Sequence, residues 1–149
     1  MPVYQCLAPA DLIEPPARKR IAEEFTRIHT AVTGAPAAFV NVVFIDTSED
    51  RTFTAGEPVR RTIITGFIRA GRDEPTRARL LHQLSEAWSQ VTGQKIPELV
   101  LGLIDVDPTS AMEAGLILPA PGREAEWTER HASTLNSLRQ DEKPSAGRN

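Results

Sequence analysis

Val32-Thr33-Gly34, with Phe44-Ile45-Asp46 ten residues further on, returns as Val91-Thr92-Gly93 with Leu103-Ile104-Asp105, at a constant offset of 59 residues. Segments at that offset align without a gap over about 45 positions, so the chain reads as a duplicated unit. Ahead of each Val-Thr-Gly lies a helical period, Ile21, Phe25 and Ile28 in the first copy and Leu80, Leu84 and Ala87 in the second. Gly34 and Gly93 suit helix C-termini, while Pro15-Pro16 and Asp73 with Pro75 suit helix starts. An extended apolar stretch precedes each helix, Val3 to Leu7 and Thr62 to Ile68. The unit is therefore strand, helix, strand.

Such a unit joins parallel strands by a right-handed crossover, and two copies predict an α+β fold: a four-stranded sheet with two helices on one face. Strands as apolar as Phe39 to Ile45 and Leu99 to Ile104 call for cover on both faces. The face without helices would then be covered by another subunit, which implies a symmetric oligomer.

Outside the repeats, which span about 2–46 and 61–105, Thr47 to Pro58 is a polar connector whose Arg51-Thr52-Phe53-Thr54 stretch suits an edge strand or hairpin arm. Pro108 to Gly115 reads as a loop or short helical turn, and Leu118-Pro119-Ala120-Pro121-Gly122 breaks the chain before a helical segment over about 123–140. A single domain over about 1–140 and a disordered tail over 141–149 are expected. A length of 149 residues, with 40% hydrophobic and 25% charged residues, fits an ordinary folded domain. Net charge −3 argues against diffuse attraction to nucleic acid or anionic membranes, so an anionic ligand needs a local pocket. The lone Cys6 forms no internal disulfide, and no stretch resembles a membrane span or signal peptide, so cytoplasm is the expected location.

Pro2 becomes a secondary amine if Met1 is removed, as is usual ahead of a small residue. An α-amino group titrates at about 7.7–8.0; a nearby cation or burial lowers that value and a carboxylate raises it, so either acid or base duty is open near neutral pH. Alternatively, Pro2 merely begins an edge strand that needs no amide hydrogen there. Arg69-Ala70-Gly71-Arg72 places two guanidinium groups three residues apart after a strand, where they either converge on one carboxylate or pair with Asp73 and Glu74 at the surface. Because Pro2 starts one strand and Arg69 ends its counterpart, their meeting depends on strand order or on a neighbouring subunit. His29, whose repeat counterpart is Trp88, is either a packed ring or a ligand contact. Glu113, alone in an uncharged stretch, either orients water or faces solvent. His82 and His131 read as surface residues, and no two histidines have metal-ligand spacing.

Taken in order, Pro2-Val3-Tyr4, Arg27-Ile28-His29, Arg69-Ala70-Gly71-Arg72 and Met112-Glu113-Ala114-Gly115, running into Leu118-Pro119-Ala120-Pro121-Gly122 and Trp127, resemble the cis-3-chloroacrylic acid dehalogenases of the tautomerase superfamily. The resemblance covers roughly residues 2–127. It implies a tautomerase-like trimer without a cofactor, acting on a small carboxylate. By matching positions it implies Pro2 as catalytic amine, Arg69 and Arg72 as carboxylate clamp, His29 as a further substrate-binding group and Glu113 as the activator of water. One departure stands out: Gly102 occupies the place of a family tyrosine that shares in water activation. Tautomerisation needs only clamp and amine, so this departure favours a tautomerase or weak hydratase over efficient dehalogenation. Tyr4, the single tyrosine of the chain, is the candidate to stand in. The competing expectation is a catalytically silent relative that binds small carboxylates or serves as an assembly module, its amine blocked if Met1 is retained.

Overall fold

The computed structural model describes residues 1–141; the expected tail beyond Asp141 lies outside the described residues. Two strand-helix-strand units follow one another, β1 (Val3–Pro9), α1 (Pro15–Thr33) and β2 (Asn41–Thr47), then β5 (Thr62–Arg69), α2 (Glu74–Thr92) and β6 (Leu99–Val106). Between them lies a hairpin of β3 (Phe53–Thr54) and β4 (Glu57–Pro58), and after them a hairpin of β7 (Met112–Glu113) and β8 (Leu116–Ile117). The second strands begin after short 3-10 turns, so Phe39, expected in a strand, lies in a turn instead.

Each unit pairs its strands in parallel, as a helical crossover requires, with Val3 opposite Asn41 and Thr62 opposite Leu99. The units join through β1 and β5, which run antiparallel with Val3 opposite Phe67 and Leu7 opposite Ile63, giving the order β2-β1-β5-β6. This reversal places the start of β1 beside the end of β5. Pro2 and Arg69, separated in the repeat, thereby become neighbours without help from another subunit.

Both helices cover one sheet face. Tyr4, Cys6 and Ala8 from β1 and Ile64 and Ile68 from β5 are buried against Ile21, Phe25, Ile28, Leu80, Leu84 and Trp88. Full burial of each large apolar side chain stabilises the fold by about 1.5–3 kcal/mol. The inward residues also refine the repeat: Pro2, Tyr4, Cys6 and Ala8 match Thr62, Ile64, Gly66 and Ile68 at an offset of 60, whereas the helices match at 59. The strand-helix loop of the second copy is one residue shorter. A one-residue slip inside either strand would turn its buried set outward, so the difference is confined to the loop.

The opposite sheet face is apolar and open in the single chain. Val43 (45% exposed), Ile45 (42%), Val100 (46%) and Ile104 (48%) stand on it, with Gly102 between the last two. Among the described residues, no helix is long and apolar enough to cross a membrane.

The duplication extends to the hairpins. Ala55-Gly56 and Ala114-Gly115, again 59 apart, all take positive φ, the pair of left-handed residues that tight two-residue hairpins require. The stretch Pro108 to Gly115, expected as a loop or short turn, is a 3-10 turn over Pro108–Ser110 leading into the second hairpin. The C-terminal helical run divides at His131 into α3 (Glu124–Arg130) and α4 (Ala132–Asp141). His131, expected on a solvated face, is partly covered, with its ring tilted against Trp127 at a centroid distance of 5.1 Å.

Candidate active site

The N-terminus, the β5-α2 loop and the second hairpin converge at one end of the sheet. Pro2 is fully buried, and its carbonyl accepts a hydrogen bond from the Asn41 amide at 3.0 Å, which continues the β1-β2 ladder to the chain start. The Met1 amine lies 2.5 Å from Glu113 Oε2, and Asn41 Nδ2 donates to Glu113 Oε1 at 3.2 Å. Glu113 is therefore neither isolated nor simply solvent-facing. The β7-β8 hairpin carries it across the sheet edge to the chain terminus.

Arg69 ends β5, and Gly71 turns the chain toward α2. At φ +100°, Gly71 adopts a conformation that side chains rarely take, and an added Cβ would stand 3.0 Å from the Pro121 ring. This contact seats the Pro121-Gly122 turn on the arginine loop and brings the start of α3 with it. Neither arginine pairs with Asp73 or Glu74 among the described residues; Asp73 caps α2 by accepting from the Thr76 amide at 2.9 Å. Arg69, with 13% of its side chain exposed, donates from Nη2 to Glu124 Oε1, while its Nε is buried without a partner. Burial and the charge of Arg69 hold the Arg72 guanidinium below its ordinary range, partly offset by Glu124. Burial alone would raise the Glu124 carboxyl, but hydrogen bonds from its own backbone amide and from Arg69 together keep it below the usual carboxylate range.

A cavity of about 350 Å³ opens here, lined by Met1, Arg69, Arg72 and Glu124 on its polar side and by residues such as Phe39, Leu118 and Trp127 on its apolar side. Phe39 meets Trp127 edge-on at 6.3 Å, and Trp127 Nε1 donates to the Ile117 carbonyl at 2.8 Å, which ties α3 to the second hairpin.

His29 is 3% exposed and is not among the lining residues. Its Nδ1 lies 2.7 Å from the Tyr4 hydroxyl. Burial, followed by the charges of Arg72 and the amino terminus, pushes the imidazole down to about 4, so it is neutral near pH 7. Burial, with a smaller contribution from Cys6, pushes the Tyr4 hydroxyl upward, so it keeps its proton and donates when His29 carries hydrogen on Nε2. Tyr4 is thereby committed to the helix-covered face, whereas Gly102 stands on the open one. Within one chain Tyr4 does not take the place of the missing hydroxyl.

Pro2, Arg69, Arg72, Glu113 and His29 are thus gathered around one end of the sheet, with Met1 between Pro2 and the cavity. Glu124 escaped the sequence reading. The signal was a carboxylate just after the Pro121-Gly122 break, but its partner lies 55 residues earlier and emerges only from the turn against Gly71.

A family described as "Putative oxalocrotonate tautomerase enzyme" matches residues 1–132. Among solved structures, native Ps01740 is 36% identical, covering 74% of this chain and 99% of its own with a TM-score of 0.72. N1, described as a member of the cis-3-chloroacrylic acid dehalogenase family, is 26% identical over 93% of this chain and 99% of its own, with a TM-score of 0.86. The Q0 fused 4-OT, described as a wild-type symmetric trimer, shares the fold at 23% identity, covering 81% of this chain and 99% of its own with a TM-score of 0.74. No curated protein matches.

Proposed function

The chain belongs to the oxalocrotonate tautomerase family and is a cis-3-chloroacrylic acid dehalogenase-like member of the tautomerase superfamily, and on that premise we propose that it acts, without a cofactor, on small unsaturated or enolic carboxylic acids. The observation that carries this reading is the meeting of the chain terminus, the arginine pair and Glu113 beside one cavity. Pro2 is the acid/base once Met1 is removed. Arg69 and Arg72 hold the carboxylate. Glu113, paired with the Met1 amine one residue away, would face the proline amine once Met1 is removed.

In tautomerisation, the Pro2 amine takes the enol hydroxyl proton and the resulting ammonium returns a proton to the neighbouring carbon, as C=C–OH becomes CH–C=O. Hydration adds a step: Glu113 removes a proton from water as its oxygen attacks the double bond, and Pro2 protonates the adjacent carbon. Gly102 supplies no hydroxyl to share the water, so the first reaction is favoured over the second. His29 is a substrate-binding group whose contact depends on the space that Met1 vacates. The open apolar face is covered in a homotrimer, a reading supported by the trimeric 4-OT neighbour of the same fold.

One observation favours a second reading. Met1 is seated in the site, its amine on Glu113 and its side chain against the cluster of Phe39, Ala111 and Leu118. A chain that keeps Met1 is a silent carboxylate binder with no free proline amine.

Reaction with a 2-oxo-3-alkynoic acid tests the main reading. The secondary amine adds across the triple bond, forming an N–C bond while a proton passes to the neighbouring carbon. An adduct on the peptide that begins at Pro2, greatly reduced in Arg72→Ala, is expected; an unlabelled N-terminus in processed protein contradicts the proposal.

A further inference from the structure

We propose that Glu124 sets the charge of the ligand, and that the site selects a monocarboxylate with an uncharged hydrophobic remainder over a dicarboxylate of similar shape. The inference rests on the reading of Arg69 and Arg72 as a carboxylate clamp.

Three charged side chains line the cavity, two guanidinium groups and the Glu124 carboxylate. Arg69 has one donor committed to Glu124. Among the described residues no carboxylate lies within ion-pair distance of Arg72, and Arg69 Nε is buried without a partner. The donors left over suit one carboxylate. The net charge of these three side chains is +1 and the terminal amine is already paired with Glu113, so one monoanion neutralises the group and a second carboxylate would enter beside Glu124 with no unpaired cation to meet it. Glu124 keeps 47% of its side chain exposed, so water and salt weaken that repulsion in part, and the discrimination comes from it together with the apolar lining beyond.

The rest of the cavity offers a second carboxylate no cation: its other polar side chains are Thr33, whose hydroxyl already donates to the His29 carbonyl, and Thr128. Phe39, Ala38, Leu118, Trp127 and Leu135 offer apolar surface, and the Trp127 indole N–H is already spent on the Ile117 carbonyl. A volume of about 350 Å³ lies in the range of pockets that enclose whole organic ligands and exceeds what a three-carbon acid fills. An aryl or alkyl group would bury itself there, while an ionised one would lose hydration with no charge, and little beyond the Thr128 hydroxyl, to replace it.

Glu124 starts α3, and its position depends on the Gly71-Pro121 contact. The residue that counts ligand charge is thus built into the C-terminal extension, outside the duplicated units.

The test is equilibrium binding by calorimetry, with cinnamate and 4-carboxycinnamate as probes and the processed protein at pH 7.5. Wild type is expected to bind cinnamate at least tenfold more tightly than 4-carboxycinnamate. In Glu124→Gln, which keeps the shape and removes the charge, that ratio should fall to about threefold or less, chiefly through tighter binding of the dianion. Equal wild-type affinities, no cinnamate binding, or an unchanged ratio in Glu124→Gln would each overturn the proposal. The wild-type ratio stands even if a variant folds poorly. Binding does not require proton transfer, so cinnamate selectivity without turnover would defeat only the catalytic reading, and turnover without charge selectivity would defeat only this one.

Discussion

The amino nitrogen of Met1 lies 2.5 Å from Oε2 of Glu113, an ion pair between the chain terminus and the tip of the second hairpin. Asn41 holds the other carboxylate oxygen, so three distant parts of the sequence fix one acidic group at the place where a proline amine would be released. Under the proposed function, removal of Met1 would leave this carboxylate one residue from the proline amine that it serves.

Glu113→Gln should separate the two proposed reactions. Hydration of an unsaturated acid loses its water activator and should fall about a hundredfold or more, whereas ketonisation of an enol acid should change by less than about tenfold. Steady-state rates on both substrates provide the check, and equal losses would contradict the assignment.

Gly102→Tyr should raise hydration. An added Cβ at Gly102 has open space around it in the single chain, so the fold itself tolerates a larger residue on that face. A tyrosyl hydroxyl there restores the group that the resemblance identifies as missing. The expected gain is about tenfold or more in hydration of cis-3-chloroacrylate, with ketonisation little changed; a variant with no gain that remains folded and assembled contradicts this account of Gly102.

Gly66→Ala should destabilise the protein by about 1–3 kcal/mol, because a Cβ at Gly66 would lie 2.6 Å from Tyr4 Cε1 and 2.8 Å from Leu103 Cδ2. Gly66 and Tyr4 sit opposite each other across β1 and β5, so the ring cannot turn away without disturbing its bond to His29. Urea unfolding measures the loss, and a variant as stable as wild type would show that the ring relocates freely.

Stability should fall as the pH drops from about 6.5 toward about 4. His29 titrates near 4 in the folded chain against 6.5 ordinarily, so between those values the unfolded chain binds a proton that the folded chain does not. Its contribution is fully present above about 6.5 and is lost as the pH approaches 4, with a span on the order of 3 kcal/mol. Melting temperatures from pH 7.5 to 4.5 should decline less steeply for His29→Asn than for wild type; parallel declines would remove His29 as the cause.

The fold was legible because a helical repeat and matching strand ends are local patterns, and the Val-Thr-Gly and Ile-Asp markers fall at or within a residue or two of the helix and strand ends of both units. The extra residue in one strand-helix loop was hidden, because a gapless alignment does not reveal which sheet face each residue meets. The meeting of Pro2 with Arg69 depended on the antiparallel joining of β1 and β5, which no repeat encodes. Glu113 and Glu124 reach the site through hairpin and loop contacts across the chain. Periodicity carries no signal for such contacts, although the resemblance pointed to Glu113.

The central claim is that Pro2 is an acid/base working beside an arginine clamp. The most direct measurement is the rate of ketonisation of phenylenolpyruvate by processed wild type, confirmed by intact mass to begin at Pro2, against Pro2→Ala processed in the same way. The account predicts a wild-type rate well above buffer that falls about a hundredfold or more in the variant. An equal rate in both proteins, or no wild-type rate above buffer, would contradict it.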